Sequence, residues 1–258
     1  MSGMFSVGSL TADQYNTVYN VISFGFASML ATTVYLYLSQ GRVLERYRQA
    51  IVISGTVTLI ALYHYWRIFN SFVEARTAGG SFNEAYRYVD WLLTVPLLLM
   101  ETIAVLNLAP GERKSLISRL VPASAAMIVL GYPGEISMVN STKEIWGALS
   151  TIPFLYILYI LFVELTKSLE TQPTEVAATV KRLRLLLIAT WGVYPISYLL
   201  PVIMGSDANG AGAFVGRQVG YTVADVLAKC LFGLTIYKIA RLKSAADDPA
   251  YAETYGMH

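Results

Sequence analysis

The sequence predicts an all-α fold, a bundle of seven transmembrane helices, from three observations. Its 258 residues are 55% hydrophobic and only 14% charged, whereas an average soluble domain carries about 25% charged residues. Seven apolar segments are each long enough to cross a membrane, and most basic residues collect at one end of these segments. This composition excludes a soluble enzyme, a nucleic-acid-binding protein and a disordered chain.

The seven predicted spans account for nearly the whole chain. A helix needs about 20 mostly apolar residues to cross the hydrocarbon core. The segments that meet this requirement are 15–39, 50–73, 84–108, 115–132, 144–166, 180–204 and 216–240. Turn-forming residues separate them, at Gly79-Gly80, Pro110-Gly111, Pro133-Gly134, Pro173 and Gly210–Gly212. We therefore expect a single domain, 1–258, that ends in a short cytoplasmic tail, 244–258.

The distribution of Lys and Arg predicts how the bundle is oriented. Thirteen of the 19 basic residues lie at span ends that share one side of the membrane. They are Arg42, Arg46, Arg48, Arg113, Lys114, Arg119, Lys167, Lys181, Arg182, Arg184, Lys238, Arg241 and Lys243. Because cytoplasmic segments are enriched in basic residues, this side is expected to be cytoplasmic and the N-terminus extracellular. No repeat relates the two halves of the sequence, which argues against an inverted-repeat transporter.

The third span carries ionisable residues, which are costly inside a membrane and indicate function. Helical spacing places six residues of this span on one face. They are Arg87, Asp90, Trp91, Thr94, Leu98 and Glu101. At about 1.5 Å rise per residue, Asp90 and Glu101 lie roughly 16 Å apart along the helix axis. Polar packing between helices is the alternative explanation, but three ionisable groups on one face exceed what packing requires.

The seventh span carries a lysine in the middle of an apolar run. Lys229 lies far from both membrane interfaces, and Asp225 precedes it by one helical turn. A buried lysine is sometimes only an ion-paired structural residue. A desolvated amine is also suited to forming a Schiff base with a carbonyl compound. The protonated Schiff base would need a counterion, and Asp90 and Asp225 are the available anions.

The sixth span carries aromatic residues at helical spacing, namely Trp191, Tyr194 and Tyr198. Alone, such a row is more often core packing than a ligand site. Together with Lys229 and Trp91, it predicts the walls of a pocket for a flat conjugated ligand.

Three motifs now resemble a known family. Arg-Tyr-x-Asp-Trp-Leu-x-Thr-x-Pro (87–96), Trp-x-x-Tyr-Pro (191–195) and Asp-x-x-x-Lys (225–229) are similar to those of the microbial (type 1) rhodopsins. The resemblance covers all seven spans. It implies all-trans retinal bound covalently to Lys229 as a protonated Schiff base, in a multi-pass protein of the prokaryotic inner (plasma) membrane. Lipid and protons are then the expected partners.

The residues of the third span resemble those of the proteorhodopsin and xanthorhodopsin group of outward proton pumps. Chloride pumps replace the first carboxylate by a neutral residue and sodium pumps carry an Asn-Asp-Gln set, and neither pattern occurs here. The resemblance implies that Asp90 accepts the Schiff-base proton while Thr94 hydrogen-bonds it. Arg87 and Asp225 would complete the counterion. Glu101, neutral in the dark, would return a proton from the cytoplasmic side.

Further positions take their roles from the same resemblance. His64 would pair with Asp90 and keep it ionised, and the apolar Leu98 is typical of green absorption. Arg217 stands eight residues before Asp225, where bacteriorhodopsin has a proton-release glutamate, so that release pair is not expected. The residues implied around the retinal are Tyr65, Trp91, Leu98, Met127, Gly131, Ser150, Thr151, Trp191, Tyr194, Pro195 and Tyr198.

Gly147 resembles the glycine that xanthorhodopsin-like pumps carry in place of a bulky tryptophan. That glycine opens a window to the retinal ring, through which a carotenoid antenna on the lipid face can transfer excitation energy. The simpler explanation is a small residue that permits close helix packing.

Two other functions remain open. A photosensory rhodopsin with weak or no transport would need a partner surface, although such receptors usually lack a carboxylate at the position of Glu101. A transporter that uses buried carboxylates without retinal would show no visible band that hydroxylamine could bleach. The family resemblance also implies a homo-oligomer, a pentamer or a trimer, and we predict no metal site.

Overall fold

Seven long helices follow one another along the chain in a computed structural model that describes residues 5–79, 82–106, 108–170, 172–204 and 210–256. No β-strand occurs within these ranges. The helices are α1 (Ala12–Ser39), α2 (Glu45–Thr77), α3 (Ala85–Val105), α4 (Pro110–Glu135), α5 (Asn140–Leu169), α6 (Thr174–Ile203) and α7 (Ala211–Asp247). A short helix, α8 (Pro249–Thr254), follows. The predicted all-helical fold is confirmed.

The seven helices close into a ring. Each packs against the next along the chain, and α1 also packs against α7. Helices α3 and α7 are the most buried, and these are the two that carry the predicted charged residues. Large apolar side chains on the outer face of α5 are exposed, such as Ile152 at 68% and Tyr159 at 67%. All seven helices are long and apolar enough to span a membrane, so the chain is a multi-pass membrane protein.

A local signal in the sequence explains how α1 begins, and α7 departs from α-helical geometry near its middle. The Thr11 hydroxyl accepts from the Gln14 amide (3.2 Å) and the Gln14 side chain accepts from the Thr11 amide (3.0 Å), which forms a capping box. Within α7, residues Val226–Leu231 form a π-helical turn. Such turns often lie at functional sites, and this one contains Lys229.

Six of the seven helices are longer than the predicted segments, because polar end residues continue the helical backbone beyond the hydrocarbon core, whereas α3 (Ala85–Val105) is shorter than the predicted 84–108. Two predicted turns are wrong, and the turn predicted at Gly210–Gly212 is wrong in part, because α7 begins at Ala211. Pro110 is the first residue of α4, where its missing N–H costs nothing, and Pro133-Gly134 lie in the last turn of that helix. Thirteen predicted cytoplasmic basic residues lie mostly inside helix ends rather than in loops. Gly80, in another predicted turn, lies outside the described residues.

The predicted tail is not a free segment. Helix α7 continues to Asp247, and α8 folds back so that the Tyr251 hydroxyl donates to the carbonyl oxygen of Arg42. The Asp247 carboxylate contacts both Tyr47 and Arg46. The first contact attaches α8 to the α1–α2 connection, and the others attach the end of α7 to the start of α2. The last two residues of the predicted tail, 257–258, lie outside the described part of the chain.

Candidate functional site

An apolar cavity of about 340 Å³ lies between α3, α4, α5, α6 and α7. This volume falls within the usual range for small-molecule sites, about 300–1,000 Å³. The predicted residues that line it are Trp91, Leu98, Met127, Gly131, Gly147, Ser150, Thr151, Trp191, Tyr194, Pro195, Tyr198 and Lys229. Tyr65 was predicted to line the pocket, but it binds Asp225 beside the cavity instead. The sequence therefore identified most of the cavity wall.

Lys229 reaches the cavity between two carboxylates. Its Nζ atom donates to Asp90 Oδ2 and to Asp225 Oδ1, the second at 2.9 Å. All three side chains are nearly completely buried. Because an isolated buried charge is very costly, each of these groups depends on the others. The site thus combines a buried amine, two anions and an apolar cavity.

Asp225 is held by many donors. The hydroxyl groups of Tyr65 and Tyr194 donate to its two oxygens at 2.9 and 2.8 Å, and the indole N–H of Trp91 donates at 3.1 Å. The Arg87 guanidinium lies 3.5 Å from Asp225 Oδ2. These donors all favour the ionised carboxylate.

Asp90 has fewer partners. Its Oδ2 accepts from Lys229, whereas no described residue donates a hydrogen bond to its buried Oδ1. His64 Nδ1 lies 3.6 Å from that Oδ1 and only 2.9 Å from the carbonyl oxygen of Ile60. The Thr94 hydroxyl donates to the backbone carbonyl of Asp90 at 2.9 Å, not to its carboxylate as expected, because a helical threonine readily bonds the carbonyl four residues earlier.

Arg87 connects this centre to the end of the bundle. Its guanidinium donates to the Gln218 amide oxygen at 3.0 and 3.2 Å, to the Thr222 hydroxyl at 3.2 Å and to the Tyr65 hydroxyl at 3.2 Å. The side chain is 1% exposed. Fixed polar partners therefore hold a full positive charge beside Asp225.

Glu101 lies on the same face of α3, near the opposite end of the bundle, and is completely buried. The Ser54 hydroxyl donates to its Oε2, and no described residue bonds its Oε1. Its apolar neighbours in the sequence, Leu98, Leu99 and Ile103, are buried as well. A carboxyl group with one hydroxyl partner in apolar surroundings favours its neutral form.

Comparison with known proteins identifies the architecture. The family described as "Bacteriorhodopsin-like protein" matches residues 16–242. The chain belongs to this family, the microbial (type 1) rhodopsins. The green-light absorbing proteorhodopsin of Gamma-proteobacterium EBAC31A08 is 31% identical over 243 residues, which cover 92% of this chain and 91% of that one.

Solved structures agree with this assignment. Xanthorhodopsin, described as a light-driven ion pump with a dual chromophore, is 46% identical with a TM-score of 0.85, covering 92% of this chain and 97% of its own. A thermophilic rhodopsin is 41% identical with the same TM-score, covering 92% and 98%. These relatives are rhodopsins, of which xanthorhodopsin is described as an ion pump, and this chain shares their architecture over nearly its whole length.

Gly147 lets an aromatic ring of this rhodopsin approach α5. A Cβ atom on Gly147 would lie 2.8 Å from Tyr198 Cε1, and one on Gly134 would lie 1.8 Å from the Tyr198 hydroxyl oxygen. The small residues therefore make room for Tyr198, whose hydroxyl donates to the Lys143 carbonyl at 2.9 Å. The cavity wall beside Gly147 also includes Glu144 and Ala148, which are exposed on the outer face of α5.

Sequence reasoning missed eight residues of the cavity wall. They are Tyr88, Val95, Ile128, Glu144, Ala148, Phe154, Leu199 and Tyr221. Two of them carried a usable signal, because Val95 follows Trp91 by four residues and Tyr221 precedes Asp225 by four. It also missed the buried Glu135 and Lys143 and the partly buried Glu84, which lie at the far end of the bundle near Arg217.

Proposed function

We propose that this rhodopsin is a light-driven outward proton pump that carries all-trans retinal on Lys229. The position of the Lys229 amine carries the proposal, since it lies between Asp90 and Asp225 at one wall of an apolar cavity. Glu101 lies about three helical turns from Asp90 along α3, towards the opposite end of the bundle. The site therefore has a proton-accepting carboxylate on one side of the amine and a proton-donating one on the other.

The cavity residues suit retinal. An elongated polyene needs apolar and aromatic walls, and the side chains of Trp91, Trp191 and Tyr194 supply such walls. When bound through Lys229 Nζ, retinal supplies light absorption and a light-driven change of shape. Leu98 lines the cavity with an apolar side chain, which supports the prediction of green absorption.

The two carboxylates beside Lys229 take different roles. Asp225 keeps its charge because Tyr65, Tyr194, Trp91 and Arg87 all stabilise the anion. Asp90 has one oxygen free of hydrogen bonds within the described chain, so it can accept a proton from Lys229 Nζ. Protonation of Asp90 then costs little free energy, because its carboxylate has no hydrogen bond from a hydroxyl or indole group of a described residue to lose.

Glu101 returns a proton to Lys229 Nζ. Its carboxyl group is buried without a charged partner among the described residues, so it holds a proton in the resting state. The thirteen basic residues near this end of the bundle support a cytoplasmic location for it. Transport from Glu101 through Lys229 to Asp90 is therefore outward, across the plasma membrane of a prokaryotic cell.

Illumination tests the pump directly. Cells that express the protein with retinal should acidify their medium in the light, and a protonophore should abolish the signal. Hydroxylamine should bleach the visible band, which a transporter without retinal would not have. An intact photocycle without acidification would instead support a photosensory rhodopsin.

We also propose a carotenoid antenna, because the cavity extends past Gly147 to exposed residues on the outer face of α5. Through this opening a carotenoid polyene on the lipid side would approach the retinal ring. The structurally similar xanthorhodopsin is itself described as having a dual chromophore. The homo-oligomer, pentamer or trimer, stays a prediction from the family resemblance.

A purified carotenoid should give a structured, induced circular-dichroism band when added to the pigment. Gly147→Trp should abolish this band, while the retinal band persists as evidence of an intact pocket. Ile152→Trp is the matched control, because residue 152 lies on the exposed face of the same helix outside the cavity wall. An unchanged carotenoid band in Gly147→Trp would show that the opening is not the binding site.

A further inference from the structure

Four charged side chains are buried together at the end of the bundle opposite Glu101. Lys143, Glu135 and Arg217 are 2%, 3% and 7% exposed, and the Glu84 side chain is 11% exposed. Arg217 bridges the two carboxylates, with Nη2 2.9 Å from Glu84 Oε1 and Nε 3.2 Å from Glu135 Oε1. The roles assigned above to the counterion and the proton donor use none of these residues.

A hydrogen-bonded chain joins this cluster to the centre around Lys229. Arg87 donates to the Gln218 amide oxygen, and the Gln218 amide group donates to Glu84 Oε1 and Oε2 at 3.2 and 3.3 Å. Gln218 is completely buried. Polar groups therefore continue from Asp225 through Arg87 to Glu84.

A second connection comes from the cavity wall. Tyr221 and Tyr88 both line the cavity, and their hydroxyl groups donate to Glu135 Oε2 at 2.9 and 3.3 Å. Lys143 donates to the backbone carbonyls of Gly134 and Glu135 at 3.1 and 3.0 Å. The Glu135 carboxylate thus lies directly behind the wall of the chromophore cavity.

The cluster also reaches the outside. A small cavity of about 40 Å³ is lined by both carboxylates, and its wall includes Ile136, which is 42% exposed. A space of this size that is lined by charged side chains has room for water, which needs at least about 10–15 Å³. The charged and titratable groups facing the two carboxylates are Arg87, Tyr88, Lys143, Tyr198, Arg217 and Tyr221.

Burial raises the pKa of Glu84 above its usual value; Arg217 opposes this rise and Glu135 adds to it. Glu84 precedes the first residue of α3, outside the membrane-spanning segment. A carboxyl group whose pKa is raised keeps its proton to a higher pH than an exposed glutamate does. Burial therefore favours the protonated form of Glu84 beside the arginine that it shares with Glu135.

We propose that Glu84 and Glu135, bridged by Arg217, form the group from which the transported proton passes to the extracellular medium. This inference rests on the proposed outward pump. In the step, the O–H bond of one carboxylic acid breaks and the proton moves to water in the small cavity, leaving a carboxylate. The proton that Asp90 accepted later restores the acid. The net result is one proton released per proton taken up.

Time-resolved measurement of proton release tests the inference. The full-length pigment in lipid nanodiscs is excited with a single flash, and pyranine in the medium reports when the proton appears. Glu84→Gln and Glu135→Gln should delay this appearance about a hundredfold, the lower end of what a positioned proton-transfer group contributes. Deprotonation of Lys229 Nζ, followed by visible absorbance, should keep its wild-type rate.

Two controls separate proton release from a structural role. Glu74→Gln removes an exposed carboxylate near the same end of α2 and should leave the release time unchanged. Glu84→Asp keeps an acid and should restore most of the rate, and the light-minus-dark infrared band of the protonated carboxyl should vanish only in the glutamine variants. Wild-type release times in both glutamine variants would overturn the inference while the pump stands. Absence of net transport in the wild type would instead overturn the pump itself.

Discussion

The two halves of the bundle on either side of Lys229 contain different kinds of side chains, and they are called here the polar half, on the side of Asp225, and the apolar half, on the side of Glu101. On the side of Asp225, buried charges are joined by tyrosine, tryptophan and glutamine side chains in a continuous hydrogen-bonded network. On the side of Glu101, one buried carboxyl group has a single serine partner and apolar neighbours. The first half stabilises ions, whereas the second stabilises a neutral acid.

This difference gives a physical basis for the proposed one-way transport. In the proposed pump, a proton that enters the polar half meets carboxylates that can accept it and a small cavity that has room for water. A proton that reaches the apolar half is held on Glu101, because charge separation there is costly. The asymmetry resides in the hydrogen-bond partners of the two ends, since the α-helices themselves are alike.

Asp90→Asn, in the polar half, should have the largest effect on proton transport. An amide cannot accept the proton from Lys229 Nζ, so light-driven acidification by proteoliposomes or cells should fall below detection. Asp13→Asn, at an exposed position in the first turn of α1, is the matched control and should pump normally. Sustained acidification by Asp90→Asn would show that another group accepts the proton.

Glu101→Gln should disable the apolar half while leaving the polar half intact. Return of the proton to Lys229 Nζ should slow by about a hundredfold, the lower end of the contribution of a positioned general acid. The remaining return should draw on bulk protons, so its rate should fall about tenfold per pH unit. Flash spectroscopy between pH 6 and 8 measures both effects, and Glu45→Gln, at an exposed helix end, is the control. A rate independent of pH in Glu101→Gln would contradict the assignment.

Much of this architecture could be predicted because the decisive signals are local in sequence. Charges within apolar spans are conspicuous, and helical spacing alone put Asp90, Leu98 and Glu101 on one buried face. The Asp225–Lys229 pair follows from the same rule. Helix ends were harder, because Pro110 and Gly134 are compatible with both a turn and a helix terminus.

The cluster of Glu84, Glu135, Lys143 and Arg217 could not be predicted, because its contacts join elements that are distant in sequence. Glu84 and Arg217 are 133 residues apart and meet only when α3 packs near α7. Both glutamates lie at helix ends, where an acidic residue is usually solvated. Nothing in the spacing of Glu135 or Lys143 distinguishes them from such surface residues. Tertiary packing, and not a local sequence pattern, brings these residues together.

Ser54→Ala removes one hydroxyl group from the apolar half and should have a smaller effect than Glu101→Gln. The ionised form of Glu101 then loses its only described side-chain donor, so Glu101 should give up its proton more slowly. A net hydrogen bond contributes about 0.5–1.5 kcal/mol, which corresponds to roughly two- to tenfold in rate. Flash spectroscopy of proton return measures this, and Ser118→Ala, at an exposed position on α4, should have no effect.

Tyr65→Phe removes one hydroxyl from the polar half and should have the smallest effect. Asp225 keeps donors from Trp91, Tyr194 and Lys229, and Arg87 keeps its bonds to the glutamine and threonine of α7. Because a dense network redistributes the loss, we expect a change of about twofold or less in proton transfer to Asp90, the low end for a single hydrogen bond. The decay of the visible band after a flash measures that rate. An effect larger than that of Ser54→Ala would mean that the polar half depends on each bond individually, and that its many donors do not protect it.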